Sequence, residues 1–135
     1  MNDPAANHRR VVLIVDDDLA LLEFLRQALE PLGFDVLAAS NPFIAVRLAA
    51  MNAPDLVVMD IDMPGMDGTE AAKHLKNIDQ TREIPVIAFT GQSLAEHQSC
   101  GFTSIVMKDG GVEPLQHEIE QALRGHGGPA SVDNR

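Results

Sequence analysis

Residues 55–68 read DLVVMDIDMPGMDG, and this stretch restricts the fold more than any other. Leu56, Val57, Val58 and Met59 form a continuous apolar run, the pattern of a strand covered on both faces. The run stops on Asp60, and the chain turns through Pro64 and Gly65. A buried strand that ends on an acid and opens into a Pro/Gly loop places a carboxylate at the carboxyl edge of a sheet. In open α/β sheets that edge is where ligands bind.

The flanking segments follow the same pattern. Residues 11–15, VVLIV, are a second short apolar run, and it stops on Asp16, Asp17 and Asp18. The helix after it carries Leu21, Leu25, Ala28, Leu29 and Leu32 on one face. Asp18 is its N-cap, and Pro31 and Gly33 close it. Residues 34–39 read as a strand. Asn41 and Pro42 then open a helix that carries Phe43, Val46, Leu48 and Ala49 to about residue 52. After the strand at 55–59, Asp67 and Glu70 form a capping box for a helix over 68–79. The fourth strand, 84–89, precedes Thr90 and Gly91. Ser93 and Glu96 cap a short, weakly anchored helix that ends near Cys100 and Gly101. The fifth strand, 103–107, precedes Lys108. A last helix sets Val112, Leu115, Ile119, Ala122 and Leu123 on one stripe. Five strands alternating with five helices predict an α/β fold, a doubly wound parallel sheet of (βα)5 type. We expect a polar, disordered lead-in over 1–9, one domain over 10–124 and a flexible tail over 125–135.

Composition narrows the function. The chain has 135 residues, enough for one domain with a real core. Its 20 acids and 10 bases give a net charge of −10. The only basic cluster, His8-Arg9-Arg10, reads as a solvated lead-in. Phosphate neutralisation dominates nucleic-acid affinity, so no nucleic-acid partner is expected. No apolar run is long enough to span a membrane, and the start lacks a signal-peptide core. We therefore expect no membrane partner and a cytoplasmic location. The lone Cys100 forms no internal disulfide, in keeping with a reducing compartment. The five histidines (His8, His74, His97, His117 and His126) share no metal-ligand spacing.

Laid side by side, the strand ends carry a chemistry. The first ends on Asp16 and Asp17, the third on Asp60, the fourth on Thr90 and the fifth on Lys108. Alone, each has an ordinary explanation: a strand-terminal acid is usually a helix N-cap, the role we assign to Asp18 and Asp67. Together they form a set. Acids that follow buried strands repel one another and stay partly desolvated, so they need a cation. Hard oxygen ligands suit Mg²⁺, or Mn²⁺, over a soft metal. Such a group can hold a phosphoryl group. A carboxylate attacks phosphorus, the metal and Lys108 stabilise charge on the oxygens, and Thr90 donates a hydrogen bond.

The strings VLIVDDD, DLVVMDIDMPGMDG and PVIAFTG, with the lysine after the fifth strand, resemble the receiver domain of two-component response regulators, the CheY-like phosphoacceptor domain. The resemblance spans about residues 10–124. It implies a flavodoxin-like sheet of order 2-1-3-4-5. It also implies Asp60 as phosphoacceptor, Asp16 and Asp17 as metal-binding acids and the main-chain carbonyl of Asp62 as a further metal ligand. Thr90 and Lys108 match the pair that holds the phosphoryl group, and Gly91 matches the small residue that leaves room for it. The implied partners are a sensor histidine kinase or histidine phosphotransfer protein as donor, and a downstream protein that reads residues 93–124. With eleven residues after 124, output is expected through protein contact. The chain would be no enzyme beyond slow self-dephosphorylation.

Two positions depart from the family. Ile105 stands where an aromatic is usual, and it is β-branched and stiff. Asp109 stands where proline is usual, followed by Gly110 and Gly111; we expect a trans bond there, a looser loop and competition from Asp109 for Lys108. Two alternatives remain open at this point. One is a pseudo-receiver that binds partners without phosphorylation. The other is a phosphatase of haloacid-dehalogenase type, which Asp60-Ile61-Asp62 also resembles.

Overall fold

A computed structural model of the chain describes residues 9–63, 65, 67–91 and 101–127. Among these, five strands form one parallel sheet: β1 (Val11–Val15), β2 (Asp35–Ala39), β3 (Leu56–Met59), β4 (Val86–Thr90) and β5 (Ser104–Met107), in the order β2-β1-β3-β4-β5. Four helices are described: α1 (Leu19–Leu29), α2 (Pro42–Asn52), α3 (Gly68–Lys76) and α4 (Val112–Gly127). The sheet and its order match the expectation. The helix expected over 93–100, with Cys100, lies outside the described residues.

The strands alternate their side chains between two apolar layers. Val12, Ile14, Leu56, Val58 and Ile87 face Leu22, Leu25 and Leu29 of α1 and Leu115, Ile119 and Leu123 of α4. Leu13, Val15, Val57, Met59 and Val86 face Ala45 and Ala49 of α2 and Ala71, Ala72 and Leu75 of α3. Burial on both faces is why these strands read as continuous apolar runs.

The expected caps are in place. The Asp18 carboxylate accepts from the Ala20 and Leu21 N–H groups, the Asn41 side chain from Ile44 N–H, and the Asp67 carboxylate from Glu70 N–H. Other boundaries moved. On α1 the buried stripe is Leu22, Leu25 and Leu29, and Leu32 is 49% exposed. The helix gives way to a 3-10 turn at Glu30–Leu32 before Leu32 can join that face. On α2 the buried residues are Pro42, Ala45 and Ala49, whereas Phe43 is exposed. Small side chains let that helix lie close to the sheet. The fourth strand starts at Val86 because Ile84 N–H closes a turn onto Thr81 C=O at 3.0 Å. α3 stops at Lys76, three residues short of the expectation, where Asn77 N–H turns back to Lys73 C=O at 3.2 Å. α4 runs through Gly127, past the expected start of the tail. Arg9 is held: its Nε pairs with Asp35 at 2.7 Å and its Nη2 donates to Phe34 C=O. Among the described residues no helix is long and apolar enough to cross a membrane.

Candidate functional site

Sheet register assembles the site. Val15 lies opposite Met59, so the next residues, Asp16 and Asp60, leave adjacent strands side by side. Asp60 N–H donates to Val15 C=O at 2.9 Å, and Asp16 N–H to Ala39 C=O at 3.2 Å. Thr90 is the last residue of β4 and pairs with Met107, immediately before Lys108. Asp16, Asp60 and Thr90 are buried, at 3, 5 and 1% exposure, although all three are polar.

Carboxylate oxygens of Asp16, Asp17 and Asp60 lie within 4.8 Å of one another. Lys108 Nζ stands 2.8 Å from Asp16 Oδ2 and 3.4 Å from Asp60 Oδ1. Asp18 N–H donates to Asp16 Oδ1 at 2.9 Å and fixes that side chain. Among the described residues Lys108 pairs with two of these three carboxylates, Asp16 and Asp60, so the cluster is short of positive charge. Burial pushes the Asp60 carboxyl above its ordinary value and the Asp16 charge adds to this; Lys108 and the Asp62 N–H pull the other way. Burial pulls the Lys108 ammonium down, but the hydrogen bond and charge of Asp16, with Asp60, outweigh it and the net shift is upward.

An open cleft of about 470 Å³ lies over these groups. Asp16, Asp17 and Asp18 line one side, and Asp60, Asp62, Thr90, Gly91 and Lys108 complete it. All the residues singled out in the sequence therefore meet. Asp17 and Asp62 are exposed at the rim. Nothing lies within 4 Å of where a Cβ on Gly91 would stand, so there is open space above it. The donors are hard oxygens around uncompensated negative charge, which fits Mg²⁺ or Mn²⁺.

The end of β5 corrects two expectations. Lys108 turns to Asp16 and Asp60, and Asp109 stands exposed, so the expected competition is not what the pairing follows. The loop is also no loose run. Lys108–Gly110 form a 3-10 turn that Gly111 N–H closes onto Lys108 C=O at 3.1 Å. No described peptide bond is cis, as expected for Lys108-Asp109.

Sequence reading overlooked two contacts made by the chain around and after Asp60. Phe43 stands within 3.5 Å of a Cβ placed on Gly65 in the loop after Asp60. Gly68, the first residue of α3, packs against the main chain of Asp60. A glycine one position after an N-cap, where any good helix former would serve, was the available signal.

The family model of the response regulator receiver domain matches residues 12–120. The polar-differentiation response regulator DivK of Brucella anthropi is 39% identical over 79 residues, 58% of this chain and 64% of that protein. The match thus takes in less than two thirds of DivK. A CheY-like response regulator receiver domain protein of Methanospirillum hungatei superposes with a TM-score of 0.83 at 27% identity, covering 89% of this chain and 98% of that one. The response regulator TrrA of Thermotoga maritima, in complex with Mg²⁺-BeF, gives 0.79 at 26% identity, covering 84% and 99%.

Proposed function

Because the chain belongs to the response regulator receiver domain family, we propose that Asp60 accepts a phosphoryl group from the phosphohistidine of a sensor histidine kinase or histidine phosphotransfer protein. One observation carries this reading. The Asp60 carboxylate is buried at the base of the cleft, 3.4 Å from Lys108 Nζ and beside the Asp16 and Asp17 oxygens.

Asp16, Asp17, Asp60 and the Asp62 carbonyl would hold a Mg²⁺ ion, with Mn²⁺ as a substitute. When bound, that ion supplies positive charge to the phosphoryl oxygens and offsets the repulsion between the acids. An Asp60 carboxylate oxygen attacks phosphorus, and the P–N bond to the donor imidazole breaks. The leaving nitrogen keeps the bonding pair and takes a proton. Lys108 neutralises developing charge on a phosphoryl oxygen, and Thr90 donates its hydroxyl to another. The TrrA complex with Mg²⁺-BeF supports the metal assignment by likeness.

Water slowly attacks phosphorus, the bond to the Asp60 oxygen breaks, and inorganic phosphate leaves the carboxylate free, so the chain acts as a phosphoacceptor switch in a phosphorelay. Output passes to a protein partner over residues 93–124. A groove of about 350 Å³ on the described part of that face supports this, with Ile105, Met107, Pro114 and His117 in its lining. The net charge of −10 argues against a nucleic-acid partner, and a cytoplasmic location belongs to the same proposal. The assembled acid cluster favours this reading over a pseudo-receiver.

Intact-mass measurement with Mg²⁺ and acetyl phosphate tests it. The expected result is one phosphoryl adduct that requires Mg²⁺ and vanishes in Asp60→Asn. No adduct, or an equal adduct in Asp60→Asn, would overturn the reading.

A further inference from the structure

We infer that Gly68 is a positioning residue for the acid cluster: lacking a side chain, it seats the first turn of α3 directly on the main chain of Asp60 and Ile61 and so fixes where the Asp60 carboxylate and the Asp62 carbonyl stand. A Cβ on Gly68 would fall 2.2 Å from Asp60 O, 2.9 Å from Ile61 Cα and 3.0 Å from Met59 Cγ. The first two are main-chain atoms, which cannot rotate away. Gly68 is also absent from the positive-φ glycines, which are Gly33, Gly65, Gly101 and Gly111. Close approach, not backbone conformation, is therefore what requires glycine at this position.

The seat is held from both sides. Gly68 N–H donates to Ile61 C=O at 2.9 Å and closes the loop that carries Asp62. Asp67 caps the helix, its carboxylate accepting from Glu70 N–H at 2.9 Å and from the Thr69 hydroxyl. An added methyl group must push Asp60 O back by about 1 Å to reach ordinary contact. That oxygen turns only with its whole peptide plane, whose far end, Ile61 Cα, meets the same methyl group at 2.9 Å, so the displacement passes into the backbone that carries the Asp60 side chain. The carboxylate would then leave the arrangement in which Lys108 Nζ meets Asp16 at 2.8 Å and Asp60 at 3.4 Å.

The functional consequence rests on the phosphoacceptor reading; the placement does not, and the test separates them. Gly68→Ala is compared with Leu75→Ala, a fully buried α3 side chain in the apolar core. Three quantities are read: Mg²⁺ Kd, the rate of phosphorylation by acetyl phosphate, and the NMR signal of the Lys108 ammonium in metal-free protein. Gly68→Ala should weaken Mg²⁺ binding by about 10- to 100-fold, the range for groups that orient metal ligands. It should also slow phosphorylation and move the Lys108 signal. Leu75→Ala should lower Tm and leave all three unchanged. If Gly68→Ala does not fold, Asp67→Ala decides, because it loosens the same seat without a clash. A moved Lys108 signal and a smaller rise in Kd support the inference, and no change in either overturns it. Folded Gly68→Ala that matches the wild type in all three also overturns it, as does Leu75→Ala reproducing its losses. A wild type that takes neither Mg²⁺ nor phosphoryl sinks the functional reading, and the Lys108 signal still decides the placement.

Discussion

β3 and β5 end in the same cleft and are built in opposite ways. β3 lies between β1 and β4, and Leu56, Val57, Val58 and Met59 are all buried. β5 is the edge of the sheet. Only Val106 is buried there, Ile105 is 41% exposed, and Ser104 Oγ sits buried without a hydrogen-bond partner among the described residues. Asp60 therefore rides on a strand whose position both neighbours and both apolar layers dictate. Lys108 rides on a strand with fewer constraints and reaches the cluster through a long, flexible side chain. The group that must be placed accurately for bond formation sits where packing is tightest. The group that must follow a change in charge sits where the fold leaves it room.

The contrast is open to direct challenge. Leu56→Ala should cost about 2–5 kcal/mol of stability in urea unfolding, the range for emptying a packed core site. Ile105→Ala should cost about 1 kcal/mol or less, because that side chain is already half in water. Equal losses would erase the distinction between the strands. Lys108→Ala should slow phosphorylation by about 100-fold, the worth of one charged group aimed at a developing oxyanion. The Asp60 peptide should still be the only one labelled, because Asp60 does not depend on Lys108 for its position.

Smaller effects sharpen the picture. In metal-free protein Asp60→Asn should raise stability by about 1–2 kcal/mol, since it removes a buried charge that faces Asp16. Any loss of stability would mean that the cluster is balanced as it stands. The pH dependence follows in sign. A raised Asp60 value means that the folded state holds this proton more tightly than the unfolded chain does. The Asp60 contribution therefore favours folding at low pH and fades as pH rises through the raised value. Metal binding requires the carboxylate, so Mg²⁺ affinity should begin to fall, as pH is lowered, above the ordinary carboxylate value of 3.8. Calorimetric titration across pH 8 to 4 checks this.

Much of this was legible in the sequence, for a physical reason. Strands covered on both faces must be continuously apolar, so an acid at their end stands out, and Asp16, Asp60, Thr90 and Lys108 could all be placed from that rule. Parallel pairing then brings those ends to one edge. Helix faces were harder to read. Leu32 fell outside the α1 stripe because the helix tightens at Glu30, and Phe43 faced solvent because α2 packs through Ala45 and Ala49. Both outcomes depend on neighbouring elements. Gly68 was missed because its need comes from Asp60 O, a main-chain atom eight residues earlier in sequence. Arg9 is exposed, as read, but its anchorage to Asp35 and to the Phe34 C=O was not legible, because those residues lie far along the chain.

The central claim is that the buried carboxylate of Asp60, and neither of its acidic neighbours, is the nucleophile. Borohydride reduction of the acyl phosphate after treatment with Mg²⁺ and acetyl phosphate, followed by peptide mapping, tests this most directly. The account predicts reduction at Asp60 alone. Reduction at Asp16 or Asp17, or at none of the three, would contradict it.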